Sequence, residues 1–153
     1  MDSHEKQSSR LTVKIKRLND SAVIPSYAKA GDMGMDLTAA GYHYDTELDC
    51  HVYHTGLAVE IPDGYGMLLF PRSSNRKTDA YMTNHVGVVD SGYRGEILVC
   101  FKNRDRADKR PPYEVGDRVA QLCILPYPQV AWEEAAELCD SERGAGGHGS
   151  TGK

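Results

Sequence analysis

The sequence has only four cysteines, and no two of them form a Cys-x-x-Cys pair. A zinc knuckle or a thiol redox motif is therefore not indicated. The chain also lacks a signal peptide and any long apolar run, so we expect an intracellular protein outside the membrane, cytoplasmic or, in a eukaryotic or viral setting, nuclear. A net charge of −4 argues against a broad basic surface for direct nucleic-acid binding, but it allows a small polyphosphate pocket.

Segments long enough to form a regular helix are also absent. Many short stretches of strand-forming residues, bounded by turn residues, predict one all-β domain, a β-sandwich or a barrel. The clearest alternation begins at Leu11, where Leu11, Val13 and Ile15 share one face of a half-buried strand. We predict a flexible tail over residues 1–10, the β domain over residues 11–139 and a mobile Gly-rich tail over residues 140–153. Near residue 130 the sequence fits two alternatives, a short strand at residues 129–132 or a helical turn at residues 131–138, and it does not decide between them.

Two β-hairpins are predicted in the middle of the chain. The first joins residues 57–61 to residues 65–70 through the turn Pro62-Asp63-Gly64. The second covers NHVGVVDSGYRGEIL, residues 84–98, with a turn at residues 91–92 and a second arm that reaches residue 101. Asp90 interrupts the apolar arm just before the turn. Its carboxylate is suited to deprotonate a water, although from this stretch alone an Asx turn is the favoured explanation.

Further polar residues stand at positions suited to ligand binding. Arg72, Ser73 and Ser74 follow Pro71 and could form an anion site, or simply cap a short helical turn. Asp36 could hold a hydrated Mg²⁺ or occupy an ordinary turn. Gln121, on an apolar strand, is either a core amide or a ligand contact.

By residue pattern alone, the C-terminal stretch RGAGGHGSTGK matches two glycine-rich phosphate-binding motifs, G-x-G-x-x-G and most of a P-loop. No helix can follow either match, so a dinucleotide-binding fold and a P-loop fold are excluded. The remaining interpretation is a flexible segment that wraps a phosphate chain with its backbone N–H groups, Arg143, Ser150 and Thr151, while His148 stacks on a base. An ordinary disordered tail is the alternative.

Five segments occur in a fixed order: AGDMGMDL, PRSSNRK, NHVGVVDSGYRGEI, GDRVAQL and RGAGGHGSTG. Together they closely resemble the motifs of the trimeric dUTP pyrophosphatase (dUTPase) family, over nearly the whole chain from residue 30. The resemblance implies a jelly-roll-like β subunit in a homotrimer with shared active sites. It also implies Mg²⁺-dependent hydrolysis of dUTP to dUMP and pyrophosphate by water attack on the α-phosphorus, which keeps uracil out of DNA and supplies dUMP for thymidylate synthesis.

The same resemblance suggests residue roles. Asp90 would activate the water, Tyr93 would lie beneath the deoxyribose, and Asp36 would reach the metal through water. The uracil would be read by Asn84, Gly87, Val88, Val89 and Leu98. The phosphates would be bound by Arg72, Ser73, Ser74 and Gln121, together with Arg143, Gly149, Ser150 and Thr151 from the tail.

Two residues depart from the family pattern, and two other functions remain open. His148 stands where a stacking phenylalanine is usual, and Asp79 stands where glycine is common. The rival functions are the related dCTP deaminase and a non-catalytic nucleotide-sensing regulator on the same scaffold. Tyr93 and the complete GYRGEI run favour a dUTPase.

Overall fold

A computed structural model describes residues 10–147 of the chain. Within these residues the protein consists of ten β-strands, connecting segments and one 3-10 helix, Ser73–Lys77. The strands are β1 (Lys14–Arg17), β2 (Met35–Thr38), β3 (Gly41–Asp45), β4 (Cys50–His54), β5 (Leu57–Glu60), β6 (Tyr65–Phe70), β7 (Ala80–Met82), β8 (Gly87–Val89), β9 (Leu98–Asn103) and β10 (Arg118–Pro126). In the part of the chain that the structure describes, no helix is long and apolar enough to cross a membrane.

Two four-stranded antiparallel sheets, ordered β2-β10-β6-β8 and β3-β4-β9-β7, form a sandwich, and β1 pairs with β5 in a smaller third sheet. Strands of both large sheets bury alternate residues, as a half-buried strand should. In β6 the buried side chains are Met67 and Leu69, and in β9 they include Val99 and Phe101. These residues belong to one apolar core. The predicted all-β sandwich is confirmed.

Neither predicted hairpin forms. β5 pairs with β1, whereas β6 pairs with β10 and β8, so the turn at Pro62 carries the chain from one sheet to another. The turn itself is present, since the N–H of Tyr65 donates to the carbonyl of Pro62 at 3.2 Å. Likewise β8 pairs with β6, and β9 pairs with β4 and β7. Residues 90–97 therefore connect the two large sheets, and the predicted second arm is a strand only from Leu98 onwards.

The expected strand at the start of the domain is shorter and more exposed than predicted. β1 begins at Lys14, and all four of its residues are exposed. Ile15, the apolar residue of β1, is 36% exposed, because β1 pairs with β5 in a two-stranded sheet outside the sandwich, whereas the preceding Val13 packs against the core. Both alternatives near residue 130 are also wrong, because residues 127–140 form neither a strand nor a helical turn.

The chain leaves the sandwich after Pro126. Tyr127 still donates its N–H to the carbonyl of Gly64 at 2.9 Å. Residues 126–146 are then exposed throughout, including Trp132 at 94% and Leu138 at 88% of their surface. A tryptophan with almost its whole surface in water is unusual for a soluble domain, since its burial contributes strongly to stability. This segment is called the C-terminal arm below.

Candidate functional site

A pocket of about 230 Å³ opens between β8 and the connection that follows it. It is lined by Leu69, Asn84, Gly87, Val88, Val89, Asp90, Tyr93, Glu96, Ile97 and Leu98. Seven of these lining residues are candidates from the sequence, and this cavity brings them together. Leu69, Glu96 and Ile97 were missed as site residues. We call this cavity the β8 pocket.

Gly87 leaves room for the side chain of Leu69 on the neighbouring strand β6, at the base of the pocket. A Cβ added to Gly87 would lie 3.0 Å from Cβ and 3.1 Å from Cδ1 of Leu69, its partner in the strand ladder. Glycine is therefore required here for close approach and not for a positive φ. Val88 points outward on the same strand, whereas Val89 is buried. The backbone of β8 thus forms a flat wall with few side chains in front of it.

Asp90 follows the last residue of β8 and is exposed at one end of the pocket. The carbonyl of Asp90 accepts a hydrogen bond from the N–H of Tyr93 at 3.1 Å, which closes the predicted turn through the backbone. Among residues 10–147, no group donates a hydrogen bond to the carboxylate of Asp90, so the favoured Asx turn does not form. The carboxylate is available to a water or a ligand in the pocket.

Tyr93 is a wall of the pocket whose position is fixed from two sides. Its hydroxyl donates to the carbonyl of Glu96 at 2.9 Å. Its ring lies against Gly95, where an added Cβ would come within 2.4 Å of the hydroxyl oxygen. The ring is nevertheless 45% exposed, so one face is open to a ligand. Such a held ring can pack under a sugar and limit the space beside it.

A second group of candidates surrounds Arg72. The guanidinium donates to both carboxylate oxygens of Asp36, from Nε at 2.7 Å and from Nη2 at 3.2 Å, and Nη1 donates to Ser74 Oγ at 3.0 Å. Arg118 adds a bond to Asp36 at 3.2 Å. Gln121 donates to the carbonyl of Pro71 at 3.0 Å. These five side chains are called the Arg72 cluster.

The sheet register explains why the Arg72 cluster forms. Asp36 on β2 pairs with Gln121 on β10, and Gln121 pairs with Phe70 on β6, so the three strands place these positions in one row. Arg72 follows two residues after Phe70 and precedes the 3-10 helix. The expected serine cap is absent, because that helix has no side-chain cap and Ser73 is exposed.

Tyr113 holds the 3-10 helix in place by a hydrogen bond to Asn75. Its hydroxyl donates to Asn75 Oδ1 at 2.7 Å, and burial raises the pKa of Tyr113, so the phenol stays protonated as a donor. Asn75 in turn donates to the carbonyl of Ala80 at 3.0 Å. At the neighbouring departure from the family pattern, Asp79, the backbone carbonyl accepts the N–H of Arg104 at 2.8 Å and the carboxylate accepts the N–H of Asp105 at 3.4 Å. Asp79 therefore ties the exposed 104–112 loop to this corner.

Within one chain, Asp90 and Arg72 lie at opposite ends of β6. Val89 pairs with Met67, so Asp90 lies level with Gly66, six residues before Arg72. At the rise of an extended strand this separation is about 20 Å. The lining of the β8 pocket accordingly contains no member of the Arg72 cluster. A single chain presents two separate half-sites.

The tail candidates fall partly outside the described residues. Arg143 is exposed and donates from Nε to the carbonyl of Gly146 at 3.0 Å, within a turn that begins at Ser141. The remaining tail candidates, His148, Gly149, Ser150 and Thr151, lie outside the described residues.

Comparison with known proteins identifies the family. The family model described as dUTPase matches residues 20–152. The chain belongs to the dUTPase family. A deoxyuridine 5'-triphosphate nucleotidohydrolase of Thermobifida fusca (strain YX) is 42% identical to this dUTPase over 143 residues, which cover 92% of this chain and 78% of that protein. The protein of the same name from Wolbachia pipientis wMel is 38% identical over 156 residues, covering 96% of this chain and 99% of that protein.

Solved structures of dUTPases share the architecture. A mutant dUTPase of Staphylococcus bacteriophage 80alpha with dUpNHpp has a TM-score of 0.78 at 28% identity, over 93% of this chain and 99% of that chain. A mutant dUTPase from phage phi11 of S. aureus, whose structure reveals the coordination of a structural Mg(II) ion, has a TM-score of 0.68 at 26% identity, over 83% and 98%. The predicted jelly-roll-like subunit is confirmed for this dUTPase.

The donor atoms around Asp36 suit an indirect contact with Mg²⁺. Among residues 10–147 of this dUTPase, no group of three or more His, Cys, Asp or Glu side chains could hold a metal ion. Mg²⁺ often keeps several waters and uses one carboxylate together with substrate phosphates. Oδ2 of Asp36 accepts two hydrogen bonds, whereas Oδ1 accepts one and has room for a water. The carboxylate of Asp36 thus keeps an accepting position for one water beside its bonds to Arg72 and Arg118.

Proposed function

We propose that this dUTPase hydrolyses dUTP to dUMP and pyrophosphate, with Asp90 as the general base. The observation that carries the proposal is a carboxylate without hydrogen-bond donors from residues 10–147, at the end of a pocket of nucleoside size. Asp90 takes a proton from a water as the water oxygen bonds to the α-phosphorus. The bond from that phosphorus to the oxygen bridging to the β-phosphorus breaks, and pyrophosphate leaves. Removal of dUTP keeps uracil out of DNA, and the dUMP that forms is supplied to thymidylate synthesis.

The β8 pocket selects the nucleoside by shape and by backbone hydrogen bonds. Uracil lies against the flat wall of β8 and is read by Asn84 and by the backbone of residues 87–89, with Leu98 on the other side. The narrow space between these walls rejects the methyl group of thymine. Tyr93, held by Glu96 and Gly95, packs under the deoxyribose and leaves no room for a 2'-hydroxyl.

The triphosphate binds at the Arg72 cluster. Arg72, Ser73, Ser74 and Gln121 contact its oxygens, because a guanidinium fork and hydroxyl groups match phosphate geometry. Mg²⁺, reached by Asp36 through water, neutralises part of the triphosphate charge when it is bound. Arg72 and Arg118 both form ion pairs with Asp36, so phosphate oxygens would compete with the Asp36 carboxylate for the Arg72 guanidinium, while Arg118 could stay paired with Asp36.

We further infer that the working enzyme is a homotrimer with active sites shared between subunits. The separation of Asp90 from Arg72 within one chain supports this, because a triphosphate is much shorter than about 20 Å. The exposed C-terminal arm also supports it, since Trp132 and Leu138 need an apolar surface that their own sandwich does not provide. Residues 140–153 then close over a site built by two other subunits, with Arg143, Gly149, Ser150 and Thr151 on the γ-phosphate and His148 on the uracil.

A pyrophosphate-release assay across dUTP, dCTP, dTTP and UTP tests the function. We expect Mg²⁺-dependent release from dUTP, loss of release with EDTA, and rates lower by orders of magnitude for the other three nucleotides. Ammonia release from dCTP would identify a deaminase instead. Absence of turnover despite tight dUTP binding would identify a nucleotide-sensing protein.

A further inference from the structure

A chain of hydrogen bonds runs from the protein surface to the wall of the β8 pocket. His43 on β3 and His54 on β4 are joined between Nδ1 of the first and Nε2 of the second at 2.8 Å. Nδ1 of His54 contacts Oε2 of Glu96 at 2.9 Å, and Oε1 of Glu96 accepts the N–H of Gly56 at 2.8 Å. Glu96 lines the β8 pocket, whereas His43 is exposed. The proposed chemistry at Asp90 uses none of these three side chains.

The three side chains form a proton-binding unit and not a metal site. Within residues 10–147, no group of three or more His, Cys, Asp or Glu side chains could hold a metal ion, and this includes His43, His54 and Glu96. The titratable groups that face His54 are His43 from β3 and Glu96 from the connection between the sheets. Arg94, in the same connection, directs its guanidinium to the carbonyls of Ser91 and Tyr93 instead. The two ring nitrogens of His54 are therefore hydrogen-bonded to one histidine and one carboxylate.

The hydrogen-bond geometry fixes where the protons lie. An ionised Glu96 only accepts, so Nδ1 of His54 must carry a proton. When both histidines are neutral, Nε2 of His54 is then an acceptor and Nδ1 of His43 must donate to it. One added proton makes His54 an imidazolium that donates to both neighbours, with His43 in its other tautomer. A second added proton would place two N–H groups against each other and break the His43–His54 bond. The hydrogen bonds of the pair are therefore compatible with one added proton and not with two.

Glu96 transmits the state of this pair to Tyr93. Its side chain is held by His54 and by Gly56, while its backbone carbonyl accepts the hydroxyl of Tyr93 at 2.9 Å. The next residue, Ile97, is anchored by its N–H to the carbonyl of Leu57 at 2.9 Å. Protonation of the pair changes the His54–Glu96 contact from a hydrogen bond with a neutral donor to an ion pair, which is shorter and stronger. The Glu96 backbone, and with it the ring of Tyr93, is then held more tightly.

We propose that His43, His54 and Glu96 are positioning residues that link nucleotide affinity to pH: one proton shared by the two histidines tightens the Tyr93 wall of the β8 pocket. The inference rests on the proposed function, since it assigns the nucleoside to this pocket. Tyr93 contacts the sugar equally before and during the reaction, so the effect falls on KM and leaves kcat unchanged.

The test measures KM and kcat for dUTP between pH 6 and pH 8.5 in the unmodified enzyme and in His54→Asn. Asparagine can place an N–H donor near the position of Nδ1 but cannot take up the proton. The control is His85→Asn, which replaces an exposed histidine outside the hydrogen-bond chain whose φ of +57° asparagine tolerates. Titration of dUTP and of Asp90 is common to all three proteins, so the informative quantity is the ratio of variant KM to unmodified KM at each pH.

For His54→Asn we expect a KM ratio close to one at pH 8.5, rising to about threefold at pH 6, with an unchanged kcat ratio, as expected for one partly exposed charge-assisted hydrogen bond. For His85→Asn the ratio should stay flat. A flat ratio for His54→Asn, or a fall in kcat at every pH, overturns the inference while dUTP hydrolysis stands. If the unmodified enzyme releases no pyrophosphate from dUTP at any pH, the proposed function itself is wrong and the inference falls with it.

A second measurement examines the proton directly. In a histidine NMR titration of the full chain, we expect the ring signals of His43 and His54 to move together with uptake of one proton between pH 8.5 and pH 6. In Glu96→Gln, which removes the carboxylate charge, this uptake should shift to lower pH. Independent titration of the two rings, or no shift in Glu96→Gln, contradicts the coupled unit.

Discussion

The β8 pocket and the Arg72 cluster occupy the same sheet but are built differently. The pocket is shaped by backbone and by packed groups, with Gly87 against Leu69 and Tyr93 against Gly95. The cluster consists of charged groups that satisfy one another, with Asp36 bound by two arginines. In the proposed function, the nucleoside fits a pocket shaped by backbone and packed groups. Phosphate oxygens, in contrast, compete with the ion pairs inside the cluster.

If the proposed function holds, this difference gives the two regions different roles in recognising the nucleotide. A rigid pocket discriminates between nucleosides at low entropic cost, because few side chains have to be ordered on binding. An ion-paired cluster offers a strong anion site only when another charge replaces the one it gives up, so in the proposed function phosphate binding would be coupled to a cation near Asp36. Variants in the two regions should consequently fail in different ways.

The largest effect is expected for Asp90→Asn, which should lower kcat without changing nucleotide binding at either region. The amide is similar in size but cannot accept the proton of the attacking water, so kcat should fall by about a thousandfold, within the usual range for loss of a general base. The dissociation constant of dUMP should change little, as measured by calorimetry. Asp63→Asn, in the exposed turn between β5 and β6, is the matched control. Near-native turnover in Asp90→Asn would remove Asp90 from the proposed role.

The second largest effect is expected for removal of residues 143–153, part of the tail that we propose as a lid over a site built by two other subunits. Truncation after Glu142 should lower kcat/KM by about a hundredfold, because the γ-phosphate contacts and the exclusion of water are lost. Its mass by light scattering should remain that of the full-length assembly. The control truncation, after Pro126, also removes the C-terminal arm with Trp132 and should lower the mass. Loss of assembly in the shorter truncation would contradict a tail that acts only as a lid.

Much of the β8 pocket could be predicted from local sequence, and the pairing of its strands could not. Asp90 and Tyr93 stand in one continuous motif, so the backbone turn between them was predictable and is observed. The hairpin prediction failed because alternation reports which residues are buried, and not which strand supplies the partner. β8 and β9 are neighbours in sequence but belong to different sheets.

The missing site residues depend on the same long-range pairings. Glu96 lies within the quoted motif, so its position gave a signal, but its partner His54 is 42 residues earlier and only the fold brings the two together. In the Arg72 cluster, Arg118 lies 82 residues from Asp36 and meets it because β2 pairs with β10. The exposed faces of β1 and of the C-terminal arm were unpredictable for another reason. Their apolar residues indicate burial, but among residues 10–147 of one chain no element covers them.

A moderate effect is expected for Arg72→Lys, which addresses the cluster alone. The guanidinium makes three hydrogen bonds in one plane, two to Asp36 and one to Ser74, and an ammonium cannot reproduce that fork. We expect the KM for dUTP to rise about tenfold, with dUMP binding to the β8 pocket unchanged, since a lost bidentate contact is worth of the order of 1 to 2 kcal/mol. Arg118→Lys, which replaces a single bond of 3.2 Å, should have a smaller effect. Equal losses in dUMP and dUTP affinity would mean that the two regions are not independent.

The smallest effect is expected for Gly87→Ala, which addresses the pocket alone. The added methyl would lie 3.0 Å from Cβ of Leu69, so β8 must move away from β6 and narrow the space in front of it. We expect the KM for dUTP and the dissociation constant of dUMP to rise together by about threefold, and the free energy of unfolding to fall by about 1 kcal/mol, as for mild overpacking. Gly92→Ala is the matched control, because no atom lies within 4 Å of its added Cβ. The two variants are compared by calorimetry and urea unfolding. A larger loss for dUTP than for dUMP would show that the wall of β8 also sets the phosphate position, and the division between the two regions would have to be abandoned.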